Sequence, residues 1–182
     1  MSDDKSKTYV DLEDKNKIAI VDAKTLAKTG EFDIAGKCGG PGGLAFDVKH
    51  HVLFASCHDP ATMTIVDSET GKILDALPIG RGTDGAAFNP ATMEAFSSNR
   101  DGTLTVIKEN SPISFTVEQN LKTMVGAKTL TLDAKTNRIL LISAEFGPPP
   151  APSASEASGG GRGRGGRPPM VPDSFSIIVV GK

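Results

Sequence analysis

The segment GGLAFDVKHHVLFASCHDPATMTIVDSETGKILDALPIG, residues 42 to 80, is echoed by DGAAFNPATMEAFSSNRDGTLTVIKENSPISFTVEQNLKT, residues 84 to 123. Asp47 matches Asn89, and Asp133 in KTLTLDAKTNRILLISA (128 to 144) continues the series at steps of 42 and 44 residues. An apolar triplet ends at Val21, Val66, Ile107 and Ile178, with first steps of 45 and 41. Its last step is 71, and one insertion between Ala144 and Ser174 accounts for the excess.

Within each repeat, β-branched and aromatic residues fall in short runs bounded by Gly, Pro, Asn and Asp, which is the signature of strands. The repeat from 42 reads as an inner strand (Leu44 to Asp47), a second (Val52 to Ser56), a third (Thr62 to Asp67) and an outer strand (Lys72 to Pro78). The polar segments DAKTLAK, DSETGK and KENSPIS separate third from outer strands and suit hairpin turns. A period of about 40 to 45 residues with four strands is that of a β-propeller blade. The expected fold is therefore all-β, with four blade units at about 8–36, 42–80, 84–123 and 127–182, the first and last three-stranded. Such a partial propeller leaves unfinished edges. The expected partner is a second copy completing an eight-bladed ring, or further blades upstream.

Composition limits the function classes. The chain has 182 residues, enough for one ordinary domain, and its 38% hydrophobic share with 20 glycines argues against wholesale disorder. Lys plus Arg number 20 against 22 Asp plus Glu, so the net charge of −2 supplies no general field for nucleic acid or anionic lipid. No apolar run approaches the roughly 18 residues of a membrane helix, and MSDDKSKTYV lacks the features of a signal peptide. As written, the chain reads as cytoplasmic. Cys38 and Cys57 are too few for a disulfide scaffold, and reduced, half-buried thiols are the default expectation; one bridge between them becomes an option in an exported protein.

The segments NKIAIVDAKT (16–25), TMTIVDSETGKILDALPIG (62–80), GTDGAAFNPATMEAFSSNRDGTLTVI (82–107) and SFSIIVVGK (174–182) resemble the YVTN (YncE-like) family of β-propeller repeat proteins, in its C-terminal half. The resemblance covers nearly everything from Tyr9 onward except the insertion. It implies a propeller and, for a full-length form, a periplasmic or secreted location. It implies no reaction, because the recurring VD-x-x-T-G-K element is hairpin chemistry.

On propeller topology, the outer-to-inner and second-to-third connections share one face. That face gathers Glu13, Asp14, His58, Asp59, Arg81, Asp84, Asn99, Arg100 and Asp101. Loops on a rigid scaffold are usual binding sites, and this mixture of Arg and carboxylates suits a small polar or anionic ligand at the channel mouth. No nucleophile motif, phosphate loop or catalytic set is present in the sequence, and neither a cofactor nor a metal site is assigned. His50 and His51 fall on the opposite face from His58, so the three do not converge on one ion. The leading expectation is a non-enzymatic binding or scaffold protein. The alternative is a lactonase-like hydrolase with a divalent ion held by Glu13, Asp59, Asp84 or Asp101. A weaker one is nucleic-acid binding through Arg162, Arg164 and Arg167, in the Pro/Gly/Arg-rich insertion (146–173) read as a disordered loop.

Overall fold

A computed structural model describes residues 6–148 and 168–181. These form four antiparallel sheets with no α-helix among the described residues. The first sheet is β1 (Lys7–Leu12), β2 (Lys17–Asp22) and β3 (Lys28–Asp33). The second is β4 (Pro41–Asp47), β5 (Val52–Cys57), β6 (Thr62–Asp67) and β7 (Ile73–Pro78). The third is β8 (Thr83–Asn89), β9 (Glu94–Asn99), β10 (Thr103–Ser111) and β11 (Ser114–Lys122). The fourth is β12 (Thr129–Asp133), β13 (Arg138–Ser143) and β14 (Ser176–Val180). Each sheet is a meander in chain order, so the all-β, propeller-like arrangement expected from the repeat is present, with three-stranded sheets at both ends.

Three apolar layers hold neighbouring sheets face to face. Alternation along a strand sends successive side chains to opposite faces, and in the second sheet both faces are apolar. Leu53 and Val66 face the first sheet, against Tyr9, Ile18 and Ile34. Phe54, Met63 and Ile65 face the third, where Phe54 stacks on Phe88 (ring centroids 5.3 Å apart) and meets Phe115 edge-on (5.9 Å). All six residues of β5 are consequently buried. A third layer of Phe96, Leu104, Val106, Ile139 and Leu141 joins the third and fourth sheets.

Short turns close the hairpins by a repeated device. Asp22 and Asp67 each use Oδ1 to accept the backbone N–H groups two and three residues on and the Thr hydroxyl of the same turn. This is the chemistry anticipated for VD-x-x-T, and it holds the Asp22 carboxyl below its ordinary range, chiefly through the Thr25 N–H. The third repeat carries Lys108 where the first two carry Asp. Without that cap, β10 runs on to Ser111 and the polar KENSPIS segment becomes largely strand.

Two expectations need correction. Cys38 and Cys57 are not reduced thiols: they form a disulfide, with Cα atoms 5.3 Å apart and both residues fully buried. The segment after β3 folds back, Cys38 N donating to Ile34 O (2.9 Å) and His58 N to Gly39 O (2.9 Å), and this zips Cys38 against the end of β5. The insertion is also narrower than 146–173. Phe146 bridges Met170, Gly147 N donates to Pro169 O (2.8 Å) and Val171 N to Glu145 O (2.8 Å). A paired stem thus returns the chain to β14, which pairs with β13 in register.

The bridge closes a loop of sequence separation 19, which in the chain-entropy description stabilises the fold by about 3 kcal/mol. Replacing both cysteines by serine should lower the urea-denaturation free energy by about that amount, beyond any loss of packing. An unchanged midpoint would show that the bridge contributes nothing.

Candidate functional site

The nine loop-face candidates form three separate groups. Glu13 and Asp14 occupy an exposed 3-10 turn, Glu13–Lys15, in the first sheet. His58 and Asp59, both exposed, lie over the glycine loop of the second: a Cβ on Gly42 would stand 3.0 Å from His58 Nε2, and one on Gly39 would strike the Asp59 carbonyl oxygen at 2.3 Å. Glycine is required there by close approach.

The third sheet supplies the rest. The Arg81 N–H donates to Asp101 Oδ2 (2.7 Å), Arg100 N–H to Gly82 O (3.0 Å), and Asp84 pairs with Lys128 (3.0 Å). These bonds zip two loops together and leave the Arg81 and Arg100 residues exposed. Asn99 departs from the loop-face expectation because it is fully buried. Its amide nitrogen donates to Ser97 O, Thr103 Oγ1 and Thr105 Oγ1, while Ser97 Oγ donates to its Oδ1. A short polar side chain that reads as a turn residue is here the hub of a satisfied network. No hydrogen bond or ion pair between described residues links the three groups. Glu13, Asp59, Asp84 and Asp101 do not form a common cation site, and Arg162, Arg164 and Arg167 lie outside the described residues.

On the opposite face the structure assembles titratable groups that the sequence reading left apart. Asp47 ends β4, His50 sits in the following turn, and Glu109 projects from β10 of the next sheet. His50 Nδ1 lies 2.6 Å from Asp47 Oδ2 and 2.9 Å from Glu109 Oε1. Asp47 Oδ1 accepts the Lys49 N–H (3.0 Å), which orients its carboxylate, and Glu109 N donates to Met93 O (2.9 Å), which holds its backbone. Asp47 and Glu109 are each 2% exposed, whereas the His50 side chain is 23% exposed. Burial, reinforced by the Asp47 charge and opposed by His50, pushes the Glu109 carboxyl up to about 7. Glu109 Oε2 is buried without a hydrogen-bond partner. Among the described residues, this is the cluster of His and carboxylate groups whose ligand atoms, within 4.8 Å of one another, could hold a metal ion.

The signal for this site lies in the repeat itself. With the 41-residue step, Glu109 falls where the preceding repeat has Ser68, and Lys108 where it has Asp67. At the corresponding junctions, Tyr9 donates its hydroxyl proton to Ser68 O (3.2 Å), and Asn89 Nδ2 donates to Asn137 Oδ1 (3.1 Å). Of these three contacts, the one between the second and third sheets is made by an imidazole and two carboxylates.

Two hollows adjoin these elements. One of about 440 Å³ is bordered by Phe46, Asp47, Lys49, Phe88 and Pro90. A cleft of about 550 Å³ opens beside the apolar layer of the third and fourth sheets, bordered by Phe96, Leu104, Leu121, Ile139 and Val180 together with Glu118. It lies beside β14, where the four-stranded sheets carry a further strand.

No family model matches the chain, and no curated protein sequence matches it. Among solved structures it is similar to hydrazine synthase of Kuenenia stuttgartiensis, at 17% identity and a TM-score of 0.69 over 81% of this chain. The likeness is one of fold. The chain spans 42% of the length of that protein chain. No helix among the described residues is long and apolar enough to cross a membrane.

Asp11 offers a separate test of the electrostatics. Both of its carboxylate oxygens are buried without partners, and burial pushes its carboxyl up to about 7 from an ordinary 3.8. Between these values the folded chain holds a proton that the unfolded chain has released, so stability falls as pH rises through this window. In urea denaturation at several pH values, Asp11→Asn should show a shallower decline than the native chain. Identical slopes would contradict the burial.

Proposed function

We propose that this chain is a non-catalytic binding and scaffold protein of propeller type that associates with a second copy through the open face of its fourth sheet. One observation carries the reading. Ile139, Leu141, Ile178 and Val180 pack against the third sheet, but on the other face Ile142 (45% exposed), Ile177 (61%) and Val179 (53%) stand in solvent. Phe146, Met170 and Phe175, also more than half exposed, extend the apolar surface onto the insertion stem. β14 pairs only with β13 among the described strands, so a free strand edge borders the patch. Contiguous exposed apolar surface beside an unpaired edge favours association.

The choice of partner rests on the opposite end of the chain. On the open face of the first sheet, Glu31 pairs with both Lys17 and Lys28, and these hydrogen bonds hold its carboxyl down to about 2. Closing a ring of two copies would place the apolar fourth sheet on this charged surface. Fourth sheet on fourth sheet, about a two-fold axis, matches apolar to apolar and edge to edge. Membership of the YVTN (YncE-like) repeat family belongs to the same proposal, supported by the repeat of 41 to 45 residues. The Cys38–Cys57 bridge favours an oxidising compartment for the protein.

Light scattering after size exclusion should give twice the 18.9 kDa chain mass, and the double variant Ile177→Lys, Val179→Lys should elute as a folded monomer. A native chain that is monomeric at every concentration, or a dimer indifferent to the two lysines, would refute the reading.

A further inference from the structure

We propose that Asp47, His50 and Glu109 form a binding site for a divalent cation of the zinc class, seated at the junction of the second and third sheets and independent of the association described above. The donor set is one imidazole nitrogen and two carboxylate oxygens, a combination suited to zinc and to neighbouring first-row divalent ions. With ligand bonds of about 2.0 to 2.1 Å, the ligand atoms of a tetrahedral zinc site stand roughly 3.3 Å apart. His50 Nδ1 is already 2.6 Å from Asp47 Oδ2 and 2.9 Å from Glu109 Oε1, so entry of an ion needs the three groups to part by a fraction of an ångström to about an ångström.

An independent observation points to a ligand. The Glu109 side chain has no solvent exposure, and Oε2 of the carboxylate that faces His50 has no hydrogen-bond partner. A buried carboxylate oxygen left unpaired is costly, and bidentate coordination, with Oε2 joining Oε1 on the ion, satisfies it. The Asp47 carboxylate is oriented by the bond from the Lys49 N–H to Oδ1, and the Glu109 backbone is held by its bond to Met93 O, which leaves the candidate ligand atoms free to adjust. His50 is the partly exposed member, and Asp47 also borders the hollow lined by Phe46, Lys49 and Phe88. Three protein ligands would leave a tetrahedral ion one further position, for water or a small anion.

The test is zinc titration of the chelator-stripped, disulfide-intact chain by isothermal calorimetry near neutral pH, with circular dichroism as the check of folding. One ion per chain is expected. Loss of a partner that merely supports a ligand costs about 10- to 100-fold in affinity, so His50→Ala and Glu109→Gln should each weaken binding by at least about tenfold. His51→Asn, which keeps a residue tolerant of the left-handed backbone at that position (φ 60°), should bind as the native chain does. Glu109→Gln removes a buried charge at nearly constant shape, so it decides the matter should His50→Ala fail to fold. Absence of a stoichiometric site, or equal zinc affinity in the native chain and in Glu109→Gln, would overturn the proposal.

Discussion

A sheet that is apolar on both faces cannot stand alone in water, and the rest of this structure follows from that constraint. The second sheet shows it in pure form: Val52 to Cys57 are buried without exception, because alternate side chains enter two different cores. Each neighbour that covers one face exposes another of its own, so the units propagate by stacking. Among the described sheets, the first carries charge on the face away from the second. The fourth carries Ile142, Ile177 and Val179 on the face away from the third, which is why association is proposed there and not on the first sheet.

Stacking also determines where polar groups meet. The turn after each inner strand is closed by an Asx side chain, at Asp47, Asn89 and Asp133, each accepting the N–H two residues on. Asp133 also takes the Thr136 hydroxyl, whereas Asp47 turns its second oxygen to His50 and so towards Glu109 of the next sheet. One turn device is thus converted into a cluster by two changes in the repeat, Thr to His in the turn and Ser to Glu across the junction. The Ser97, Asn99, Thr103 and Thr105 network performs the complementary task inside the third sheet, where it satisfies polar groups that an apolar strand would lack.

Much of the fold was legible because the repeat and the two-residue alternation reinforce each other from Leu44 to Lys122. The strand boundaries failed where a cap was missing, at Lys108, since hairpin length depends on turn chemistry and not on composition. The disulfide was not legible: it depends on how residues 34 to 40 fold back, and spacing alone does not specify a loop path. Asn99 misled for a related reason, as a turn-prone residue at a strand end carries no mark of which way its side chain points. The Asp47, His50 and Glu109 cluster draws on two repeats and exists only once the sheets are stacked in register. A comparison of repeats column by column exposes Glu109 as the odd residue, but not its partner.

The stacking account is tested most directly by amide hydrogen exchange across a range of protein concentrations. It predicts strong, concentration-independent protection in β5 and β9, which are covered on both faces, and protection of Ile177 to Val180 in β14 that grows with concentration as the proposed second copy covers it. Equal protection of β5 and β14 at every concentration would contradict the claim that covering both faces is what holds a sheet of this protein in place.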